Sequence, residues 1–146
     1  MNKKSKPFIV FVCIENSCRS QIAEAFARVS NQDTYEVASG GSTPSKEVNP
    51  NAIKLMAELG YDLSLHKPKS VNNLQHEQIE IMVSMGCGDA CPNLASKKKI
   101  DWEIPDPKDM NLNDFREIRD LIKGKVEELF KELHISLLHL PKLLAV

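Results

Sequence analysis

The chain has 146 residues, and its 19 basic and 20 acidic side chains leave a formal charge of -1, so the overall balance offers nothing to nucleic acid or to an anionic membrane surface. Hydrophobic residues at 42% and charged residues at 27% are the make-up of one globular domain with a real core. No stretch reaches the roughly 18 to 20 apolar residues of a membrane span, and the basic start, Met1 to Pro7, leads into an apolar run that Glu15 and Asn16 break without a small-residue cleavage site. These features predict a cytoplasmic protein that meets neither nucleic acid nor membrane. In that compartment cysteines serve catalysis, redox chemistry or metal binding more often than structural disulfides.

Phe8 to Cys13 is a continuous β-branched and aromatic run, the pattern of a strand buried on both faces of a parallel sheet. From Ser20 the period changes: Ile22, Ala23, Phe26 and Val29 recur at helical spacing, and Asn31 and Asp33 close the helix. Tyr35 to Ser39 reads as a second strand closed by Gly40-Gly41, followed by the loop Ser42-Thr43-Pro44-Ser45. Asn49 caps a helix with Pro50 in its first turn and Gly60 at its left-handed stop. Residues 61–78 are polar and hold a short helix near Val71 to Gln75. Ile79 to Met85 is another strand, ending at Gly86-Cys87, and Lys99 to Ile104 makes a further one before Pro105-Asp106-Pro107. From Leu112 onward, Phe115, Ile118, Ile122, Leu129 and Leu133 mark one long amphipathic helix, in which Gly124 costs about 1 kcal/mol relative to Ala. The expected division is a single domain over residues 1–133 and an apolar tail over 134–146 that packs back on the domain or meets a partner.

Strands alternating with helices call for right-handed crossovers and a parallel sheet with helices on both faces, and ligands of such sheets bind at the carboxyl ends of strands. Cys13, Cys87 and Asp106 each follow a predicted strand, so they can meet at one edge. The stretch Cys13-Ile14-Glu15-Asn16-Ser17-Cys18-Arg19-Ser20 runs from a strand into a helix. A loop feeding a helix N-terminus turns several backbone N–H groups toward one point, where a tetrahedral oxyanion fits. Cys13 shares that field as a thiolate nucleophile, Arg19 offers a planar fork of donors, and Ser20 can hydrogen-bond the sulfur. Cys18 packs beneath the loop. Cys87 and Cys91, four apart and flanked by Gly86 and Gly88, are close enough for a disulfide after modest rearrangement; core residues or a zinc site are the alternatives for the cysteines. His66, His76, His134 and His139 lack mutual ligand spacing and read as solvated or structural, with His66, Lys67 and Lys69 raising the local positive potential. Lys97-Lys98-Lys99 reads as a solvated turn that steers an acidic partner face.

The run VCIENSCRSQIAEA, with the pattern C-x2-N-x2-R-S-Q-x-A-E, and the supporting features at Ser39-Gly40, Asn49-Pro50, Cys87 and Asp106-Pro107 resemble the low-molecular-weight protein tyrosine phosphatase superfamily, and more closely its arsenate reductase branch. The resemblance covers most of residues 7 to 130. It implies a flavodoxin-like α/β three-layer sandwich with a central parallel sheet of about four strands and a P-loop after the first. It implies Cys13 as nucleophile, Arg19 as oxyanion ligand, Asp106 as general acid and Asn16 as a brace of the loop Ile14 to Ser20.

For the arsenate reductase branch it further implies that Cys87 attacks Cys13 and Cys91 resolves Cys87, with no organic cofactor and a thiol reductant protein, thioredoxin first, as partner of a monomer. Hydrolysis of a phosphate monoester is the alternative activity. Glu15 repels oxyanions unless it points outward or pairs with a lysine. Lys108 stands after Asp106-Pro107 where the phosphatases carry an aromatic residue and the reductases a small one. Some family members bind potassium near the loop; Asn16, Glu24 and Ser39 match that site, but Lys69 replaces its remaining carboxylate, so an ammonium is expected in place of a metal.

Overall fold

The computed structural model describes residues 6–74 and 78–138. Its elements follow the order β1 (Phe8–Cys13), α1 (Arg19–Ser30), β2 (Glu36–Gly41), α2 (Pro50–Ala57), β3 (Ile79–Ser84), β4 (Ser96–Asp101) and α3 (Leu112–Leu138). The strands form one sheet in the order β2-β1-β3-β4, and every pairing is parallel. This is the flavodoxin-like α/β arrangement.

The period-two pattern of β1 decides what lies on each face. Ile9, Phe11 and Cys13 point into the larger apolar cluster, where α1, α2 and α3 contribute Ile22, Leu55, Phe115 and Ile122. Val10 and Val12 point the other way, onto a smaller cluster with Val71, Leu74, Met82 and Leu94. A 3-10 turn at Val71–Leu74 lies on this second face. Phe11 and Trp102 stack within the larger core at a centroid distance of 5.9 Å. Cys13 is therefore rooted in the largest body of buried surface, at the carboxyl end of a central strand.

Several boundaries differ from the sequence expectation for identifiable reasons. Gly40 and Gly41 belong to β2 rather than closing it, because Gly41 still pairs with Cys13. The last strand is Ser96–Asp101, not Lys99 to Ile104. Lys97, Lys98 and Lys99 are consequently strand residues rather than a turn, exposed on the sheet's outer edge, where charge opposes edge-to-edge pairing with other chains. The Asn49 cap is as expected: its side chain accepts from the Asn51 N–H at 2.8 Å, and Gly60 holds φ +84°. Helix α3 continues without a break through residues 134–138, and 139–146 of the expected tail, with His139, lie outside the described residues, as do Gln75 and His76. No helix among the described residues is long and apolar enough to cross a membrane.

Helices α2 and α3 are clamped by Glu58, which accepts from Arg116 at 2.9 and 2.7 Å and from the buried Arg119 at 2.8 Å. Hydrogen bonds from Arg116 and then Arg119 hold the Glu58 carboxyl down to about 2, against an ordinary 4.5. A depressed carboxyl contributes stability above its unfolded value and loses it as pH falls through the folded one. Glu58→Gln is expected to lower the melting temperature at neutral pH, with the gap to the unmodified protein closing as the pH falls from about 4.5 toward about 2. A gap constant across that range in thermal melts would show that the charge is not what clamps the helices.

Candidate active site

The loop between β1 and α1 owes its shape to hydrogen bonds on its outer side. The carbonyls of Ile14, Glu15 and Ser17 accept from the N–H groups of Thr43 (2.8 Å), Ser45 (3.0 Å) and Asn49 (3.0 Å). A trans peptide sets its N–H opposite its C=O, so the N–H groups of Glu15, Asn16 and Cys18 face inward. The Asn16 N–H accordingly reaches the Cys13 sulfur at 3.3 Å. Cys13, Ile14, Glu15, Ser17, Cys18, Arg19 and Asp106 line a partly open cavity of about 70 Å³, several times what one water requires. Inward donors at a helix N-terminus make it a receptor for an anion.

Asn16 fixes this loop from within. It is completely buried, holds φ 53°, and uses every hydrogen-bonding position of its side chain. Its Nδ2 donates to Ser20 Oγ (2.7 Å) and Ser39 Oγ (2.9 Å), while Oδ1 accepts from Gln21 Nε2 (2.9 Å) and the Lys69 N–H (2.8 Å). Ser20 Oγ lies 2.8 Å from Cys13 Sγ; when the sulfur is a thiolate, the hydroxyl is the donor.

Behind this pair stands a buried carboxylate. Ser39 Oγ donates to Glu24 Oε1 at 2.7 Å, Arg28 Nε donates to Oε2 at 2.9 Å, and Lys69 Nζ lies 3.5 Å from Oε1. Burial alone would raise the Glu24 carboxyl, but Lys69, the Ser39 hydroxyl and Arg28 together outweigh it and hold it below its ordinary value. The Lys69 ammonium thus sits beside Glu24, one of the three residues singled out for a bound cation, while the Lys69 backbone N–H donates to Asn16, another. No group of three or more His, Cys, Asp or Glu side chains able to hold a metal occurs among the described residues.

His66 differs from its expected part in the positive potential. Burial lowers its imidazole below the ordinary value, which favours the neutral ring. Gln21 Nε2 is spent on Asn16 Oδ1 and the Lys67 carbonyl (3.1 Å), so Gln21 Oε1 accepts from His66 Nδ1–H at 2.9 Å. His66 Nε2 then accepts from the Tyr61 hydroxyl at 2.7 Å. Burial also pushes the Cys18 thiol up to about 12, which keeps it protonated beneath the loop, as expected from its position.

Arg19 ties the three strand ends together. Its Nη1 donates to the carbonyls of Met85 (2.9 Å) and Ile104 (3.0 Å), two residues before Cys87 and Asp106 respectively. Its Nη2 lies 3.8 Å from the half-exposed Asp106 carboxylate. Cys87 and Cys91 flank a 3-10 turn at Gly88–Ala90 and are joined as a disulfide, while Cys13 and Cys18 are free. Ser42 donates to the Ala90 carbonyl at 3.1 Å, so the loop that braces the cradle also touches the cysteine turn. Glu15 pairs with Lys108 at 2.9 Å, which answers the repulsion its charge would otherwise bring. The bracing residues Thr43, Ser45 and Gly41 carried no signal beyond that of an ordinary turn.

The fold and this anion cradle define a flavodoxin-like protein whose central strand ends in a cysteine held under inward N–H groups. The chain belongs to the low molecular weight phosphotyrosine protein phosphatase family, whose description matches residues 8–137. Among its relatives, a glutaredoxin arsenate reductase of Synechocystis is 35% identical over 128 residues, covering 86% of this chain and 97% of the relative. A solved structure of an arsenate reductase in its phosphate-binding state superposes with a TM-score of 0.76 at 34% identity, covering 86% and 98% of the two chains. The thioredoxin-dependent arsenate reductase of Corynebacterium glutamicum gives 0.74 at 31% identity, covering 92% of this chain and 65% of that one.

The absence of a side chain at Gly41 is a requirement of the cradle. A Cβ there would lie 2.5 Å from the Ile14 carbonyl oxygen and 3.0 Å from the Asn16 nitrogen, both backbone atoms that cannot step aside. Gly41→Ala is expected to weaken orthophosphate binding by about tenfold or more, since displacing the loop misaims inward donors at about 1 to 3 kcal/mol each, while circular dichroism retains the α/β signature. Unchanged affinity by titration calorimetry would mean that the loop tolerates displacement.

Proposed function

We propose that the protein reduces arsenate to arsenite, with Cys13 as nucleophile, Arg19 and the inward N–H groups as oxyanion ligands, Asp106 as general acid, and Cys87 and Cys91 as the source of electrons. Cys13 attacks arsenic, and one arsenate hydroxyl leaves as water with the proton of Asp106. The Cys87 thiolate then attacks the Cys13 sulfur; the sulfur–arsenic bond breaks, its electron pair stays on arsenic, and arsenite departs. Cys91 attacks Cys87, which frees Cys13 and leaves the Cys87–Cys91 disulfide. Two thiols lose two electrons, and arsenic falls from the +5 to the +3 state. An external dithiol returns the disulfide to thiols.

The observation that carries this reading is the Cys87–Cys91 disulfide on a turn whose root, the Met85 carbonyl, is bonded to Arg19. Hydrolysis of a phosphomonoester would use Cys13, Arg19 and Asp106 but has no step for that pair. The likeness to reductases named for glutaredoxin and thioredoxin supports a small thiol protein as reductant; we assign thioredoxin, acting on a cytoplasmic monomer whose reaction is carried by one domain.

Cys87→Ser is expected to abolish arsenate-dependent consumption of thioredoxin and its reductase, measured as NADPH oxidation, while leaving Cys13-dependent hydrolysis of an aryl phosphate at the level of the unmodified protein. Continued arsenate turnover in that variant would show that electrons do not pass through Cys87.

A further inference from the structure

The mouth of the cradle carries an ion pair to which the reaction above gives no part. Glu15 and Lys108 are 93 residues apart in sequence, yet Lys108 Nζ donates to Glu15 Oε1 at 2.9 Å. Glu15 lines the anion cavity on the cradle side. Lys108 belongs to the acid loop, where its N–H donates to Asp106 Oδ1 at 3.1 Å, and Asp106 lines the same cavity. With Arg19 Nη2 3.8 Å from Asp106, the contacts run Arg19, Asp106, Lys108, Glu15 and back into the cradle loop. Glu15 stands on one wall of the cavity, and Lys108 is anchored to Asp106, which stands on the other.

We propose that the Glu15–Lys108 ion pair is a strap that makes this site select free tetrahedral oxyanions over phosphoryl groups carrying an organic substituent. The proposal rests on the reading of the cradle as an oxyanion site and goes beyond it to substrate class. The cavity is small, about 70 Å³, and partly open to solvent, so a substituent on a seated anion projects out of it. A free anion has nothing outside the cradle, so the strap closes again once the anion is seated. An aryl or alkyl group must project through the mouth and hold the pair open for as long as the complex lasts. Both side chains are partly exposed, at 37% for Glu15 and 53% for Lys108, and an ion pair of that kind opens readily as a ligand passes. The discrimination is therefore modest and falls on the bound state of the bulky ligand, which is selection by an unfavourable contact.

Two substitutions break the pair while changing the charge of the mouth in opposite directions. Lys108→Met removes a positive charge, and Glu15→Gln removes a negative one. Titration calorimetry of the reduced full chain with orthophosphate and with phenylphosphonate measures both affinities without any turnover. The strap predicts that the ratio of phenylphosphonate to orthophosphate affinity rises about fivefold in both variants, the most that releasing a partly exposed ion pair allows. A charge effect alone moves the two anions together within each variant, so an unchanged ratio in either one overturns the proposal. If the unmodified protein binds neither anion, the oxyanion reading falls and the strap with it. If it binds both but reduces no arsenate, the electron relay alone is wrong, and the two ratios still decide the strap.

Discussion

The structure depends on one buried amide. Asn16 holds a left-handed backbone at φ 53° inside the protein, a conformation that a non-glycine residue keeps only when its surroundings enforce it. Four side-chain hydrogen bonds enforce it here, from or to Ser20, Ser39, Gln21 and the Lys69 backbone. Removing any partner leaves a buried polar group unpaired, at a cost of about 1 to 3 kcal/mol. The same four bonds connect the cradle to α1, β2 and the 61–70 segment, so the loop's shape is a property of the whole sheet edge.

The charges around the cradle are arranged in depth. A chain with a net charge of -1 does not attract an oxyanion by its overall field, and the positive potential at the cradle comes locally, from backbone dipoles and the Arg19 guanidinium. Buried Glu24 would oppose an anion, but it is surrounded by Arg28, Lys69 and the Ser39 hydroxyl. Its role is structural: it accepts the Ser39 proton donor, which leaves Ser39 Oγ free to accept from Asn16. Arg19 adds the mechanical link, since its two backbone contacts fix the roots of the cysteine turn and the Asp106 loop with respect to the cradle. Three strand ends remote in sequence are thereby held in one register.

The elements that build the cradle were legible from local pattern. The apolar run to Cys13, the helical period from Ser20 and the Asn49-Pro50 cap each declare themselves within a few residues. Cys87 and Cys91 were legible as a pair because their separation admits a disulfide in a turn. What was not legible depends on tertiary partners. Gly41 reads as turn punctuation, and only the approach of Ile14 and Asn16 reveals that it must lack a side chain. Lys97 to Lys99 read as a solvated turn because both faces of β4 are exposed at these three residues, so no alternation marks the strand. His66 reads as a positive group near the site, whereas burial and the Gln21 contact favour the neutral ring. The Glu15–Lys108 contact was visible only as a condition, that Glu15 find a lysine, and the fold supplies which one.

The central claim is that electrons for arsenate come from the cysteine turn. Mass spectrometry of the fully reduced protein after a single exposure to arsenate, with no external thiol present, tests it directly. The account predicts one arsenite released per chain and a Cys87–Cys91 disulfide, with Cys13 and Cys18 as free thiols. Arsenite formed with all four thiols unmodified, or a disulfide that leaves out Cys87, would contradict it.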